Sequence, residues 1–281
     1  MFLCNNMLQG NIPEPLFNLV NLTNLCLSSN NLSGLVNFKL ISKFQNLESL
    51  SLSRNSQLSL NFESDSETAN YSFPSLRVLP KSFGEVFPSL VYVDLSNNKL
   101  SGRVPNWLPE MSLLQSLNLS QNMFTSIDQF SMHYWLRSLD LSFNSLGGEM
   151  SLSICNTAVL QILNLSRNKF TGMIPQCIAN LPFLQVLDVE MNKLHGSVPN
   201  TFSRMTFSTL NLNGNQLQGP LPKSLSNCTY LEVLNLGNNK IEDTFPYWLQ
   251  TLPNLKVLVL RANKLHGPIT KLRSRTIHFP V

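Results

Sequence analysis

Apolar and polar positions follow one another in a fixed order along most of the chain. The order is L-x-x-L-x-L-x-x-N, with mostly polar x positions, and it starts at Leu22, Leu47, Leu90, Leu114, Leu136, Leu160, Leu184, Phe207, Leu231 and Leu255. From Leu90 onward the starts are 24, 22, 24, 24, 23, 24 and 24 residues apart. One unit cannot bury its own leucines, so this regular period predicts units that coil and stack on one another.

The nine places of each unit predict a short strand. Side chains alternate along a strand, so the apolar places 1, 4 and 6 point inward, and places 2, 3, 5, 7 and 8 point to solvent on one face. Successive strands then pair in parallel. The predicted fold class is an α/β repeat solenoid with about ten short parallel strands on the concave face and short helical or irregular segments on the convex face.

A second motif, x-L-x-G-x-I-P, follows the strand and begins the return to the next unit. It reads "KLSGRVP" at 99–105, "KFTGMIP" at 169–175 and "QLQGPLP" at 216–222. The glycine suits a backbone conformation that other residues avoid. The proline fixes φ where the chain turns back. We expect the segments after it, such as "QCIANLPFL", to form the short helices.

Place 9 carries an asparagine in every unit. An inward asparagine has two donors and an acceptor on a short stem, so it can bind the buried backbone of its own turn and of a neighbouring turn. We interpret these residues as a structural series rather than as catalytic groups: Asn6, Asn30, Asn55, Asn98, Asn122, Asn144, Asn168, Asn192, Asn215, Asn239 and Asn263.

The units divide the chain into four regions. Residues 1–55 hold repeats, the first of them partial, and residues 90–270 hold regular repeats. Residues 56–89 are predicted to be irregular or truncated, because a unit that starts at Leu76 never supplies its asparagine. Residues 271–281 read as a truncated tail. The sequence contains no apolar run of about 18 residues and no recognisable signal peptide, so we expect it to be part of a longer protein.

The composition argues against several classes of function. Apolar residues make up 43%, charged residues 13%, and the net charge of +4 is scattered, so no basic run favours nucleic acid. None of the four histidines has metal-ligand spacing, and no catalytic or nucleotide-binding motif appears. Asp94, Asp140 and Asp188 stand in alternate units, about 10 Å apart, and we interpret them as a solvated stripe. We therefore expect no metal, no cofactor and no enzyme activity.

Cysteines and glycosylation sequons point to an oxidising, secreted environment. Cys155 and Cys177 lie on the return legs of adjacent units, where a disulfide between turns is feasible. Cys26 is expected to face outward on the concave side, Cys4 falls in the partial first unit, and Cys228 is expected to be a buried thiol. Six N-x-Ser/Thr sequons are glycosylation candidates: Asn21, Asn31, Asn70, Asn118, Asn164 and Asn227.

The concave face is the predicted binding surface, because solenoids of this kind bind partners there. Places 7 and 8 vary most between units. Arginine and aromatic side chains are common anchors in interfaces, so the side chains that stand out from the serines and asparagines are ligand-contact candidates. They are Arg54, Phe143, Arg167, Glu190, Met191 and Arg261.

The full pattern, L-x-x-L-x-L-S-x-N-x-L-x-G-x-I-P, resembles the plant-specific class of leucine-rich repeat. Stretches such as "FPSLVYVDLSNNKLSGRVPNW" and "LKVLVLRANKLHGPI" resemble plant receptor-like proteins of the disease-resistance type, which lack a kinase domain. The resemblance implies a right-handed superhelix on the extracellular side of the plasma membrane. It also implies a protein or peptide ligand, with microbial molecules among the candidates, and signalling through a partner receptor kinase. Membrane contact would run only through a helix that this chain does not contain.

Two other interpretations of the repeat remain open. Soluble polygalacturonase inhibitors use the same repeat class, and so do the ectodomains of receptor kinases. The sequence beyond residue 281 would discriminate among them: a membrane helix with a short tail, a cysteine cap with a stop, or a kinase domain. Defence and development are both compatible with the pattern.

Overall fold

The computed structural model describes residues 1–55, 57–61, 89–104, 111–127, 135–203 and 206–269. The predicted irregular region at 56–89 lies mostly outside the described residues, and the predicted tail at 271–281 lies wholly outside them, as does Asn70.

Short strands occur twice in nearly every coil. In chain order they are β1 (Gln9–Gly10), β2 (Asn24–Cys26), β3 (Asn31–Asn37), β4 (Ser49–Ser51), β5 (Gln57–Asn61), β6 (Tyr92–Asp94), β7 (Ser101–Val104), β8 (Ser116–Asn118), β9 (Met123–Ile127), β10 (Ser138–Asp140), β11 (Gly147–Glu149), β12 (Ile162–Asn164), β13 (Lys169–Thr171), β14 (Val186–Asp188), β15 (His195–Gly196), β16 (Thr209–Asn211), β17 (Gln216–Gly219), β18 (Val233–Asn235), β19 (Lys240–Ile241) and β20 (Val257–Val259).

The even-numbered strands form one ten-stranded sheet in chain order, called here the inner sheet. Every neighbouring pair in it is parallel and joins the same places of successive units; Leu139, for example, lies opposite Leu117 and Leu163. The odd-numbered strands form smaller parallel sheets along one flank, such as β15–β17–β19. The predicted solenoid is therefore confirmed, with its strands at places 3 to 5 of each unit.

Short helices line the return legs. They are α1 (Phe38–Ile41) and the 3₁₀ helices Glu14–Asn18, Leu152–Asn156, Gln176–Asn180, Lys223–Asn227 and Tyr247–Thr251. A proline precedes four of the 3₁₀ helices, at Pro13, Pro175, Pro222 and Pro246. Proline suits this position because the first helical turn leaves its N–H groups unpaired in any case. Ser151 caps the remaining one by accepting a hydrogen bond from the Ser153 N–H.

Leucines at places 1, 4 and 6 fill the space between the inner sheet and the return legs. Leu139, Leu163 and Leu234 at place 4 have no exposed surface, whereas Leu258, at the same place in the last described coil, is 37% exposed. No described coil stacks on the outer side of Leu258. This difference follows from the solenoid itself, because each unit depends on both neighbours to bury its apolar residues.

Place 7 departs from the predicted pattern. It was expected to face solvent, but the serines there are nearly buried: Ser53, Ser96, Ser120, Ser142 and Ser166 are all between 4% and 8% exposed. The hydroxyl of Ser120 donates to the Asn118 side chain at 2.7 Å, and that of Ser166 donates likewise to Asn164. The prediction was wrong because the chain already turns at place 7, so strand alternation no longer holds there.

Candidate functional site

The asparagine side chains at place 9 hold neighbouring coils together. The Nδ2 atom of Asn168 donates to the carbonyl oxygens of Leu165 and Ser166 in its own coil and of Leu141 in the preceding coil, at 2.9–3.1 Å. Its Oδ1 atom accepts from the Leu146 N–H at 3.0 Å. The same contacts recur at Asn122, Asn192, Asn215, Asn239 and Asn263. These amides are thus committed to the backbone.

Asn98 makes the weakest contacts of the regular series. Its Nδ2 atom lies 3.4 Å from the Leu52 carbonyl oxygen of the preceding described coil, longer than the corresponding distances elsewhere. Its buried Oδ1 atom has no hydrogen-bond partner among the described residues. Asn98 is the first such residue after the predicted irregular region.

Place 5 forms a polar row along the centre of the inner sheet. Register sets Asp94, Asn118, Asp140, Asn164 and Asp188 opposite one another on successive strands. Each side chain bends back to accept a hydrogen bond from the backbone N–H two residues on, at 2.8–3.1 Å. The aspartates are spaced two strands apart with an amide between them, so they do not form a carboxylate pair.

The surroundings of Asp188, in the same row, change the pKa of its carboxyl group. Desolvation by burial raises the pKa of its carboxyl above the ordinary value, and the Glu190 and Asp140 carboxylates raise it further. Hydrogen bonds from the Glu190 N–H and the Asn211 amide lower the same pKa. The net direction is upward, so the ionised carboxylate is less favourable in the folded chain than in the unfolded chain.

This shift predicts that Asp188→Asn changes the pH dependence of stability. A raised folded-state pKa favours folding below the unfolded pKa, and that contribution is lost as pH rises through the folded pKa. The asparagine variant should therefore be more stable than the parent at neutral pH, by less than about 1 kcal/mol because a partly solvated charge is screened. Melting temperatures of both proteins between acidic and neutral pH measure the effect. A difference that does not depend on pH would contradict it.

Four of the six ligand-contact candidates form one surface, called here the concave patch: Phe143, Arg167, Glu190 and Met191. The Arg167 guanidinium carbon lies 4.8 Å from the centre of the Phe143 ring, a cation–π distance. Arg167 also forms an ion pair with Glu190, with a nitrogen–oxygen distance of 3.3 Å. The second carboxylate oxygen of Glu190 accepts from the Asn211 amide at 3.1 Å. The patch is therefore a connected network across four successive coils.

Met191 follows Glu190 in the same unit and adds an exposed apolar side chain to the patch. It is 48% exposed, and Phe143 is 49% exposed. A Cβ atom at Gly214 would come within 2.6 Å of the Met191 sulfur, so the glycine lets the methionine lie flat across the next coil. The structure keeps the other two candidates apart from the patch: Arg54 follows β4, and Arg261 follows β20, three strands from the patch in either direction.

The backbone at place 8 of each unit has a left-handed conformation, which does not favour the large side chains found there in the patch. Phe143, Arg167 and Met191 all have φ of 53°, in the left-handed region. Glycine or asparagine adopts this region most easily, and other residues incur about 1 kcal/mol or more. Gly214 and Asn238 occupy the same place in other coils. Ser29, Gln121 and Ala262 have the same left-handed φ at place 8, so this conformation belongs to the turn of every unit and does not by itself mark the patch.

Two disulfides join adjacent coils. Cys155 and Cys177 are bonded, with Cα atoms 5.7 Å apart. Cys4 and Cys26 are also bonded, a pairing that the sequence analysis did not predict. Both pairs are separated by 22 residues, about one repeat period, and that shared spacing could have revealed the second bond. Cys228 is a buried thiol, and burial raises its pKa to about 11.

The sequons and the acidic, histidine and cysteine side chains are scattered over the described ranges. Across these ranges, no three histidine, cysteine or acidic side chains are grouped as metal ligands would be. No helix in the same ranges has the length and apolar character needed to span a bilayer. Of the described sequons, Asn21, Asn31 and Asn227 are exposed, and Asn118 and Asn164 are half-buried on the inner sheet.

Comparison with known families agrees with this geometry. A model described as a leucine-rich repeat region matches residues 113–273, and a leucine-rich repeat model matches residues 89–111. Together they cover the regular part of the inner sheet and the concave patch.

Individual relatives are plant proteins. Receptor like protein 23 of Arabidopsis thaliana is 40% identical, and Receptor like protein 27 is 37% identical. Each alignment covers 100% of this chain, but only 34% and 38% of the respective relative, so the chain spans less than two fifths of their length. Among solved structures, the plant peptide hormone receptor RGFR1 in complex with RGF2 superposes with a TM-score of 0.79 at 29% identity, over 92% of this chain and 39% of that one.

Proposed function

Because the chain belongs to the leucine-rich repeat family and is similar along its whole length to plant receptor-like proteins, we propose that it recognises an extracellular protein or peptide ligand. The observation that carries the proposal is the concave patch, where exposed aromatic, cationic and thioether groups lie together on adjacent coils. The similar receptor whose structure was solved with RGF2 supports a peptide as the ligand.

The proposed setting is the extracellular face of the plasma membrane, in the longer protein to which this segment corresponds. Recognition of a microbial or endogenous ligand would be passed to a partner receptor kinase, in defence or in development. The similarity to receptor-like proteins supports this setting. We propose recognition rather than catalysis, because the place-9 amides are bound to backbone and the place-5 carboxylates are two strands apart.

The chemistry of the patch favours a ligand with an extended apolar or aromatic segment. Phe143 and Met191 offer apolar surface, and about half of each side chain remains exposed. Arg167 and Glu190 neutralise one another, so the patch presents little net charge. Aromatic, arginine and methionine side chains are the residue types that most often anchor protein interfaces.

The proposal predicts that ligand binding is lost when the large side chains of the patch are replaced with small ones. Peptides from plant apoplastic and microbial extracts would be captured on the immobilised 281-residue chain and identified by mass spectrometry. A double variant with serine in place of both Phe143 and Arg167 should bind the captured peptides roughly tenfold or more weakly, because two central anchors are removed. Titration calorimetry with synthetic copies of those peptides measures the change.

Arg54→Ser is the matched control. Arg54 occupies the same place of its unit, with the same left-handed backbone at φ of 55°, but lies away from the patch. Its replacement should leave the affinity unchanged. Equal affinities for the parent and for the Phe143 and Arg167 double variant would count against the concave patch as the binding surface.

A further inference from the structure

We infer that a row of lysines on the flank of the solenoid binds an acidic polysaccharide, that is, a linear chain of uronic acid units. The inference rests on the extracellular setting of the proposed function, where a polysaccharide of this kind would be encountered. The binding surface itself is separate from the concave patch and does not depend on which peptide that patch recognises.

Lysine recurs at place 10, the position directly after the place-9 asparagine. No unit has an acidic residue at this place, and five units have a lysine there, each with an exposed side chain: Lys99, Lys169, Lys193, Lys240 and Lys264. Place 10 lies two residues after place 8, where the chain has left the inner sheet and runs along the flank. The repeat thus sets a series of positive charges along that flank.

Alternation in the flank strands decides which of their side chains face solvent. Place 11 points inward, because Phe170, Leu194, Leu217 and Ile241 are at most 1% exposed. Places 10 and 12, on either side of it, therefore point outward. We call the outward residues of four successive coils the lysine strip: Lys169, Thr171, Lys193, His195, Gln216, Gln218 and Lys240.

Strand pairing makes the lysine strip continuous. His195 of one coil lies opposite Gln216 of the next, and Gln218 lies opposite Lys240. Place 12 of each coil is thus beside place 10 of the following coil. With strands about 4.8 Å apart and this offset of two residues, successive place-10 residues are about 8 Å apart. A linear ligand along the strip would meet its three lysines in turn.

The positive charge of the lysine strip is not neutralised by ion pairs. Within the described ranges, no carboxylate forms an ion pair with Lys169, Lys193 or Lys240. Lys240 donates instead to the side-chain oxygen of Gln216 at 3.2 Å, and that oxygen is a neutral acceptor. An ammonium group has three donors, so each of the three lysines keeps donors for an anionic ligand.

Two carboxylates mark the ends of the lysine strip. Glu149 lies opposite Thr171 on the neighbouring strand, and Glu242 follows Lys240 by two residues, at place 12 of the same coil. Between these two glutamates, places 10 and 12 contain no acidic residue. Because like charges repel, a polyanion is favoured between the two glutamates and disfavoured beyond them.

The composition of the lysine strip favours a polysaccharide over an acidic peptide. Its side chains are lysine, threonine, histidine and glutamine, which all form hydrogen bonds, and none is apolar. Interfaces with peptides and proteins rely on aromatic and apolar anchors, which the strip does not have and the concave patch does. A uronic acid unit presents a carboxylate to an ammonium group and hydroxyl groups to amides, so its chemistry matches that of the strip.

Binding to immobilised polygalacturonate, a linear polyuronate, tests the inference. The 281-residue chain would be applied to the polymer in calcium-free buffer, and biolayer interferometry would measure its affinity. The parent should bind at about 50 mM sodium chloride and clearly more weakly at about 300 mM, because salt screens the contacts. A triple variant, Lys169→Gln with Lys193→Gln and Lys240→Gln, should bind roughly tenfold or more weakly, because three charge contacts are removed.

A second triple variant is the matched control. Lys43→Gln, Lys99→Gln and Lys223→Gln together remove the same amount of positive charge at exposed lysines outside the strip. Lys99 also occupies place 10, but the next two units have Met123 and Ser145 there. This variant should keep most of the parent's affinity, and both triple variants should melt as the parent does. Equal losses in the two variants would show attraction by overall charge alone and would overturn the strip as the site.

Two further polymers identify the class of ligand. Polygalacturonate with methyl-esterified carboxyl groups keeps the sugar chain but loses its charge, so it should not bind. Polyglutamate carries carboxylates on a peptide backbone, and it should bind more weakly than polygalacturonate; equal or tighter binding would contradict the polysaccharide assignment. No binding to polygalacturonate at all would overturn the inference, whereas the peptide titrations with the Phe143 and Arg167 double variant decide the proposed function separately.

Discussion

Replacing Asn168 with leucine should lower the free energy of unfolding by about 3 to 5 kcal/mol. The substitution keeps the size of the side chain but removes every hydrogen bond that it makes. The carbonyl oxygens of Leu141, Leu165 and Ser166 and the N–H of Leu146 then lose a partner in the interior, where water does not replace it. Urea unfolding followed by circular dichroism measures the loss.

Asn98→Leu is the matched control for this prediction. Asn98 occupies the same place, but its Oδ1 atom already lacks a donor among the described residues, and its contact to the preceding coil is long. The same substitution should cost less there, about 1 to 2 kcal/mol. Equal losses at the two positions would mean that the cost comes from crowding by leucine and not from the hydrogen bonds between coils.

Removing the disulfide between Cys155 and Cys177 has the second largest expected effect. The bond closes a loop of 22 residues, and a loop of that length corresponds to about 3 kcal/mol through the entropy of the unfolded chain. Serine at both positions should therefore lower the urea midpoint clearly. The bond also ties the 3₁₀ helices Leu152–Asn156 and Gln176–Asn180, so both return legs should become more susceptible to proteolysis.

The bond between Cys4 and Cys26 is the comparison for this loss of stability, because it closes a loop of the same length between the first two coils of the chain. The first coil is poorly covered, with Met7 95% exposed and Leu8 40% exposed. Loss of the bond between Cys4 and Cys26 should unfold the first coil of this 281-residue chain and leave most of the inner sheet intact. The expected result is a smaller shift in the midpoint than for the central pair. An unchanged midpoint in the Cys155 and Cys177 variant would contradict the stabilising role assigned to that bond.

The repeat period made most of the fold predictable from the sequence. Residues one period apart become neighbours on adjacent strands, so the pairing of Leu139 with Leu163 follows from their spacing alone. The interior position of Asn168 follows from the same argument. The repeat period did not predict the conformation of the turn that follows each strand. The burial of Ser120 and Ser166 depends on a left-handed residue at place 8, and alternation along a strand holds no information about it.

The candidate site was predictable in composition but not in arrangement. Sequence variation at places 7 and 8 singled out Phe143, Arg167 and Glu190, and their spacing placed them on successive coils. The stacking of Arg167 on Phe143 and its ion pair with Glu190 depend on side-chain conformations, which the period does not determine. The distance of Arg54 from the patch, in contrast, could have been counted in coils from the sequence.

Photo-crosslinking at the concave patch tests the central claim most directly. A photoreactive benzoyl group placed on residue 143, by Phe143→p-benzoylphenylalanine, keeps an aromatic ring at the centre of the patch. The same group at Leu152, which is 72% exposed on a return leg, reports on the opposite surface. The proposed function predicts that the captured peptides crosslink at 143 and not at 152. Crosslinking at 152 with none at 143 would show that the ligand binds elsewhere on the solenoid.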